Sequence, residues 1–325
     1  MKKIYLLTLL ITILSTTLTA QITDLEKKLK EQSADTIYGW KKGGIVSVSM
    51  SQTNLTNWSE GGQNSLSLNG ILKSFVNYKA PNRQWDNYLE LGYGMLKQGE
   101  KEDFMKTDDQ IDITSKYGEK AFKNFYYAGL VNAKTQFSNG YNYPNDSTVI
   151  SDWMAPGYLT VALGLDYNPN KHLSAFLAPV TGKFTYVNSL ALSDAGAFGV
   201  DPAVTDEFGN ILTHGSKVKQ EFGGYMRVLY TKADFQTEIL KNVGVISKLE
   251  LFSNYLKNPQ NVDINWENLV TLKINKFLMV NFTFNLKYDD DTKTTEKNPA
   301  TGLEEVHGAK LQMKEILGVG IAYKW

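Results

Sequence analysis

The sequence predicts an all-β protein: a transmembrane, antiparallel, up-and-down β-barrel of about twelve strands, with short periplasmic turns and long extracellular loops. Three observations carry this expectation. Apolar and polar side chains alternate with a period of two over runs roughly twice the length of an ordinary strand. The connections between those runs alternate short and long. The chain also opens with the layout of an export signal.

The alternation is plainest in "VDINWENLVTLKINKFLMVNFTFNLKY", residues 262 to 288. Val262, Ile264, Trp266, Val270, Leu272 and Ile274 share one parity, against Asp263, Asn265, Glu267, Thr271 and Lys273. After Asn275-Lys276 the pattern resumes with Leu278, Val280, Phe282, Phe284, Leu286 and Tyr288 against Asn281, Thr283, Asn285 and Lys287. A helix would scatter these residues around its axis, whereas a strand places them on two faces. Runs of this length match a tilted strand crossing a bilayer.

Composition narrows the class. Of 325 residues 42% are hydrophobic, which excludes disorder, and 34 basic residues balance 34 acidic ones, which leaves no net charge for nucleic acid to read. There are 18 Tyr, 15 Phe, 6 Trp and 26 Gly but only 8 Pro, a mixture suited to strands and tight turns. In "MKKIYLLTLLITILSTTLTAQ" two lysines precede an apolar run and then small residues ending at Ala20, so residues 1–20 read as a signal peptide. Leu18 is bulkier than the residue usual at its place. The chain has no cysteine for a lipid anchor or a disulfide, and beyond the signal no apolar run approaches the roughly 18 residues of a spanning helix. An exported chain with long amphipathic strands then enters a membrane as a closed barrel, in which every backbone polar group is paired between strands. Residues 21–43 read as a short periplasmic segment and 44–325 as the barrel.

The strands follow in order. Val46, Val48 and Met50 alternate with Ser47, Ser49 and Ser51 in the first. The second runs from about Gln63 to Lys79 and turns at Ala80-Pro81-Asn82-Arg83 into a third carrying Leu89, Leu91, Tyr93 and Met95 on one face. A fourth holds Ile111, Ile113 and Tyr117, and a fifth runs from about Asn124 to Phe137. The sixth sets Leu159, Val161, Leu163, Leu165 and Tyr167 against Thr160, Ala162, Gly164 and Asp166. Asn168-Pro169-Asn170-Lys171 turns it into a seventh, His172 to Val187. The eighth has Met226, Val228 and Tyr230 against Arg227, and the ninth Leu249, Leu251 and Tyr255 against Lys248, Glu250 and Asn254. The pair from 262 to 288 makes ten and eleven, and "LGVGIAYKW" is the last. Alternation is weakest in the fourth, fifth and seventh.

Strands two to three, four to five, six to seven and ten to eleven are joined by a few turn-forming residues. The intervening connections are longer and polar: "GEKEDFMKTDD", "SNGYNYPNDSTVISD", the segment from Asn188 to Ser216, and "DDDTKTTEKNPATGLEEV". Tyr78, Trp85, Tyr167, Tyr323 and Trp325 fall beside the short turns, and Tyr255 and Tyr288 beside the long loops, as two interfacial girdles would. In the last strand Gly320, Tyr323 and Trp325 resemble the C-terminal signal by which bacterial barrels are recognised for outer-membrane insertion, although Gly318 stands where a polar residue is commoner.

"NWSEGG", "KTDDQIDITSKYG", "TQFSNGY", "FSNYLKNPQNVDINW" and "YDDD" together resemble an uncharacterised outer-membrane β-barrel family of the Bacteroidota, a domain of unknown function. The likeness runs from about Gly39 to Trp325. It implies the barrel fold, the outer membrane and, as partners, outer-membrane lipids and the barrel assembly machinery. It implies no activity, because the family has none assigned.

Candidate chemistry is sparse. Twelve-stranded phospholipases of the outer membrane carry a His-x-Ser-Asn-Gly segment, but here Gln136 stands in the histidine's place before Ser138-Asn139-Gly140, and an amide cannot accept the serine proton. The expectation is therefore no enzyme. Asp108-Asp109 and "YDDDT" present clustered carboxylates that suit either a divalent cation or, more commonly, solvated loops. No catalytic residue, metal site or cofactor is assigned.

What remains is the inner face. With the apolar side turned to lipid, the lumen receives Lys73, Asp86, Glu90, Lys134, Asp166, Arg227, Lys248, Glu250, Asp263, Glu267, Lys273, Lys287 and Lys314. Charges in a narrow bore must pair or stay hydrated. Two readings stay open. One is a narrow channel or transporter for small solutes, with the loop from Asn188 to Ser216 folding inward as a constriction. The other is a plugged structural or ligand-binding barrel acting through its long loops.

Overall fold

A computed structural model describes residues 38–55, 63–99, 103–275, 278–291, 294–297 and 304–324. Residues 1–37, all of "NWSEGG" and Trp325 lie outside the described residues, and with them the signal peptide, most of the proposed periplasmic segment and part of the insertion signal. Twelve long strands form one closed antiparallel barrel. They are β1 (Gly39–Thr53), β2 (Ser65–Ala80), β3 (Arg83–Gln98), β4 (Met105–Phe122), β5 (Phe125–Thr135), β6 (Gly157–Asn170), β7 (Leu173–Tyr186), β8 (Val218–Lys232), β9 (Val243–Asn254), β10 (Val262–Lys273), β11 (Leu278–Tyr288) and β12 (Gln312–Lys324). Each pairs with its sequence neighbour, and β1 closes on β12 through Ile45 to Ser49 opposite Lys324 to Gly320. Closure leaves the sheet no free edge, which a barrel in lipid requires.

The faces sort as the alternation predicts. Val48, Leu163 and Leu317 point outward, 56%, 59% and 69% exposed, while Ser47, Ser49, Ala162 and Asp166 on the same strands are buried inside. Val319, Ile321 and Tyr323 are likewise exposed. A continuous outer belt of this kind has no counterpart on a water-soluble monomer, whose largest apolar patch is a few hundred Å². Aromatic rings mark the turn end: Trp40 lies 5.2 Å from Tyr78 and 5.8 Å from Trp85, and Phe125 stacks between Phe122 and Tyr167 at 4.8 and 4.6 Å. At the loop end Tyr255 packs edge-on to Phe222 at 6.0 Å, and the Tyr288 hydroxyl donates to Asp290.

Two boundaries and the sorting of loop lengths differ from the sequence reading. The barrel starts at Gly39 rather than Gly44, since Gly39 to Gly43 already pair with Lys79 to Phe75 on β2. Three glycines in that stretch, Gly39, Gly43 and Gly44, carry no side chain to show the alternation. β4 begins at Met105, which draws the second half of "GEKEDFMKTDD" into the sheet. Loop lengths are also sorted less cleanly than expected: the turn-end link between β8 and β9 spans the ten residues 233–242, whereas the loop-end link between β9 and β10 spans the seven residues 255–261.

β7 has weak alternation because its parity changes part-way. Phe176 and Ala178 are buried inside on even positions, then Thr181 and Thr185 on odd ones. The register slips between these sets against both β6 and β8, and Pro179, which has no N–H for the ladder, sits in the slip. Opposite this bulge Gly164 is obligatory, because a Cβ there would lie 2.0 Å from the Leu177 carbonyl oxygen.

Candidate functional site: the lumen

All thirteen charged residues assigned to the lumen from the sequence face inward. Six of them, Lys73, Glu90, Arg227, Lys248, Glu267 and Lys314, line a central cavity. Asp86 lines a cavity at the turn end, and Lys134, Glu250, Asp263 and Lys287 line one at the loop end. Asp166 and Lys273 are buried inside the wall.

The structure brings part of this set into one network. The Lys134 ammonium on β5 lies 2.7 Å from Glu250, 3.5 Å from Asp112 and 3.7 Å from Glu267. Lys248 on β9 reaches Glu267 at 2.7 Å and Asp112 at 3.3 Å. Arg227 Nε stands 4.0 Å from Glu250. Neutral donors complete the carboxylates: Tyr225 Oη donates to Glu250 at 2.6 Å, Asn265 to Glu250 and Glu267, and Asn132 to Asp112. Three cations and three carboxylates thus hold one another with their remaining valences met, the condition under which buried charge is tolerated. β4, which bears Asp112, and β10, which bears Glu267, stand six places apart in a ring of twelve. Lys134 and Lys248 each touch both acids, so the network crosses the bore.

Further cross-ties flank it. Lys116 and Gln84 converge on the buried Asp166 at 2.6 and 3.0 Å. Lys183 joins Asp263 at 2.6 Å and Glu221 at 3.7 Å, and Lys314 joins Asp108 at 2.8 Å. Asp112, Lys116, Lys183, Lys219 and Glu221 were not assigned to the lumen from the sequence. For the two on β4 the signal was present, since Asp112 lies between Ile111 and Ile113 on the opposite parity; for Lys183 the bulge at Pro179 hid it.

Not every inward residue is polar. Ala128, Leu130, Ala162, Phe176, Ala178, Tyr225 and Phe252 form a buried cluster on the inner wall of β5 to β9. It fills one side of the bore, and three cavities remain: about 470 Å³ at the loop end, bordered by Tyr225 and Phe252 of the cluster, about 160 Å³ at the centre, and about 50 Å³ at the turn end, bordered by Leu130 and Phe176. Gln110, Glu267, Asn285 and Lys314 border both the first and the second. Tyr88, Thr114, Arg227 and Leu229 border both the second and the third. The three form a row along the barrel, separated by side chains rather than by backbone.

The loop between β7 and β8 does not constrict this row, contrary to the sequence expectation. No residue from 188 to 216 lines any of the three cavities. The loop has an anchor of its own, in which Val187 and Val200 bury against Ala155 of the β5–β6 loop with Leu192 and Phe198 beside them. Asp194 ties it further, accepting from Gly215 N at 2.8 Å and pairing with His214 Nδ1 at 2.9 Å.

The other sequence candidates resolve into hydrogen-bonded groups, Asp108 and Asp109 within β4 and Asp290 and Asp291 in the loop after β11. Asp109 accepts from the backbone N–H groups of Phe137 and Ser138 and from Lys106, and Asp108 pairs with Lys314. Asp291 pairs with Lys219 and Lys257, and Asp290 accepts from Asn261. Ser138 Oγ meets Asp109 and Tyr93, neither of them a general base of the phospholipase kind.

A family of proteins of unknown function (DUF3078) matches residues 50–141, from the end of β1 to just past β5. Three of the motifs that carried the resemblance fall in or on that span, and two lie beyond it. No curated protein matches the chain. Among solved structures, the chain is similar to the translocator domain of the autotransporter NalP from Neisseria meningitidis, at 9% identity and a TM-score of 0.37, covering 92% of this chain and 93% of that one. It is similar to an outer membrane channel from Pseudomonas putida F1 at 10% identity and 0.38, covering 90% and 97%. It is also similar to the NanC porin at 9% identity and 0.35, covering 86% and 98%.

Proposed function

We propose that the protein is an outer-membrane channel admitting small polar solutes, and that it acts without catalysing a reaction. The observation that carries this reading is the inverted distribution of its side chains: apolar residues are exposed all round the outside, while ion pairs and a row of cavities occupy the inside. The first is what lipid demands of a barrel's outer face, and the second is what water or a polar solute demands of its lumen. Export through the signal at residues 1–20, insertion by the barrel assembly machinery through Gly320, Tyr323 and Trp325, and an origin among the Bacteroidota belong to the same proposal.

The crossing network favours a small bore over an open pore. A fully plugged barrel acting through its loops is the second reading, supported by the apolar cluster that fills one side of the lumen. Planar-bilayer recording of refolded protein separates the two. A channel gives discrete conductance steps that fall as polyethylene glycols of increasing size enter the bore. Silent membranes containing protein shown to be folded by its heat-modifiable gel mobility would leave only the plugged barrel.

A further inference from the structure

β1 and β12 close the ring with the shortest ladder in it. They pair over five residues each, Ile45 to Ser49 against Lys324 to Gly320, whereas every other neighbouring pair runs for at least ten. Continued in the same register, Met50 would meet Val319 and Ser51 would meet Gly318, but among the described residues neither pair forms. β12 from Val319 back to Gln312 therefore has only β11 as ladder partner, and Met50 to Thr53 only β2. Exposure changes at the same point: Ser47 and Ser49 are buried, while Met50, Ser51, Gln52 and Thr53 are exposed on both faces of the strand. Unpaired backbone at membrane depth is tolerated only where it is buried in protein or lines a water-filled cavity. The central cavity supplies one, since Ser49 from one side of the seam and Ile316 and Gly318 from the other border it. The inward side chains nearest the split, Ser49, Ser51 and Gly318, are too small to stopper it.

The wall that runs from this seam is amphipathic. Ile246 of β9, Leu269 of β10, Thr283 of β11 and Ile316 of β12 lie in one register row, and all border the central cavity. The next inward row toward the loop end is Lys248, Glu267, Asn285 and Lys314, which border it too. A mostly apolar row beside a charged one, about 14 Å long over three strand spacings, matches a hydrocarbon tail with a polar head. The apolar row ends at Ile316, on the split edge. Hydrocarbon is also what a barrel's outer face meets beyond that edge, where Leu317 and Val319 are exposed.

We propose that the seam between β1 and β12 is a lateral portal, through which a single-chain amphiphile of the fatty-acid kind enters the central cavity from the bilayer. This goes beyond axial passage of polar solutes and depends only on the outer face lying in lipid. The test uses the folded full barrel in nanodiscs of deuterated lipid, with protonated stearate as probe, read by nuclear Overhauser cross-peaks from its chain to protein methyls. Cross-peaks should reach the inward methyls of Ile246, Leu269 and Ile316 as well as outward ones such as Leu163. The chain has no cysteine of its own, so Met50→Cys with Val319→Cys, clamped by a short bismaleimide, closes the split selectively. Inward cross-peaks should then be lost and outward ones retained. Ser51→Trp, which places bulk in the split without a cross-link, should do the same. Cross-peaks confined to outward methyls in the unmodified barrel, or inward ones that survive both the clamp and the tryptophan, overturn the proposal. Ion current in planar bilayers reports the axial route separately. Current without inward cross-peaks removes the portal and keeps the channel; inward cross-peaks in a silent barrel keep the portal and remove the channel.

Discussion

Arginine at Phe282 is the sharpest test of which way the barrel faces. Phe282 is outward and 39% exposed, paired with Val270 on β10 and Leu317 on β12, so its surroundings on the outer face are apolar. It is four residues along β11 from Leu278, the turn-end start of the strand. At about 3.4 Å per residue and a tilt near 40° this places it roughly 10 Å from that end of an apolar band about 25 Å tall, within a few Å of the midplane. An arginine there should cost about 2–4 kcal/mol, and Leu249→Arg, also outward and opposite Trp266, should behave alike. At 1.4 kcal/mol per factor of ten the folding equilibrium shifts between about 30-fold and 700-fold. Asn285→Arg lies only three residues on but points into the lumen, between the central and loop-end cavities, and should cost under about 1 kcal/mol. The assay is guanidinium-titrated folding into lipid vesicles, followed by tryptophan emission and gel mobility. Equal costs at all three sites would refute the assignment of inside and outside.

Two further outcomes are expected. Gly164→Ala would press its Cβ to 2.0 Å from the Leu177 carbonyl oxygen and 2.5 Å from Ala178 Cα, so the bulge in β7 must move; refolding yield by gel mobility should fall sharply, and a normal yield would show the bulge to be pliable. The Gly215 N–H and then the His214 ring hold the Asp194 carboxyl below its usual range. With the folded value depressed, the tie between α1 (Leu190–Asp194) and the loop's far end is present above the ordinary carboxylate range and is lost as pH falls through the folded value. Proteolysis within residues 188–216 should therefore accelerate on acidification, and Asp194→Asn should be cut faster at neutral pH with a flatter pH profile; an unaltered profile would remove Asp194 from the account.

The strand count, the facing of most strands and all thirteen charged lumen residues were legible because a period of two survives wherever side chains are large and the ladder is regular. Legibility failed where either condition lapses. Gly39, Gly43 and Gly44 blurred the start of β1, and the slip at Pro179 reversed the parity of β7, so that no single alternation could place both Phe176 and Lys183 inside. The rule that apolar means outward also misplaces Leu130, Phe176 and Phe252, which line the interior. Nor could spacing in the chain show that Asp112 and Glu267, 155 residues apart, would be joined by two lysines. Such pairing depends on barrel closure, a non-local property.

The crossing network also explains why strand number alone is a poor guide to this bore. Twelve strands spaced about 4.8 Å apart and tilted near 40° give a round barrel about 24 Å across between backbones. That is more than a carboxylate, a lysine and a second carboxylate from near-opposite strands can bridge when the lysine itself springs from the wall between them. Because Lys134 and Lys248 each contact Asp112 on β4 and Glu267 on β10, those two walls must lie closer than the round figure, and the section is flattened along that line. The apolar cluster then lies away from the central cavity but walls the turn-end one through Leu130 and Phe176 and the loop-end one through Tyr225 and Phe252. Removing one charge from the network would strand its partners in a poorly solvated interior, so the electrostatics that permit a polar lumen also set its width.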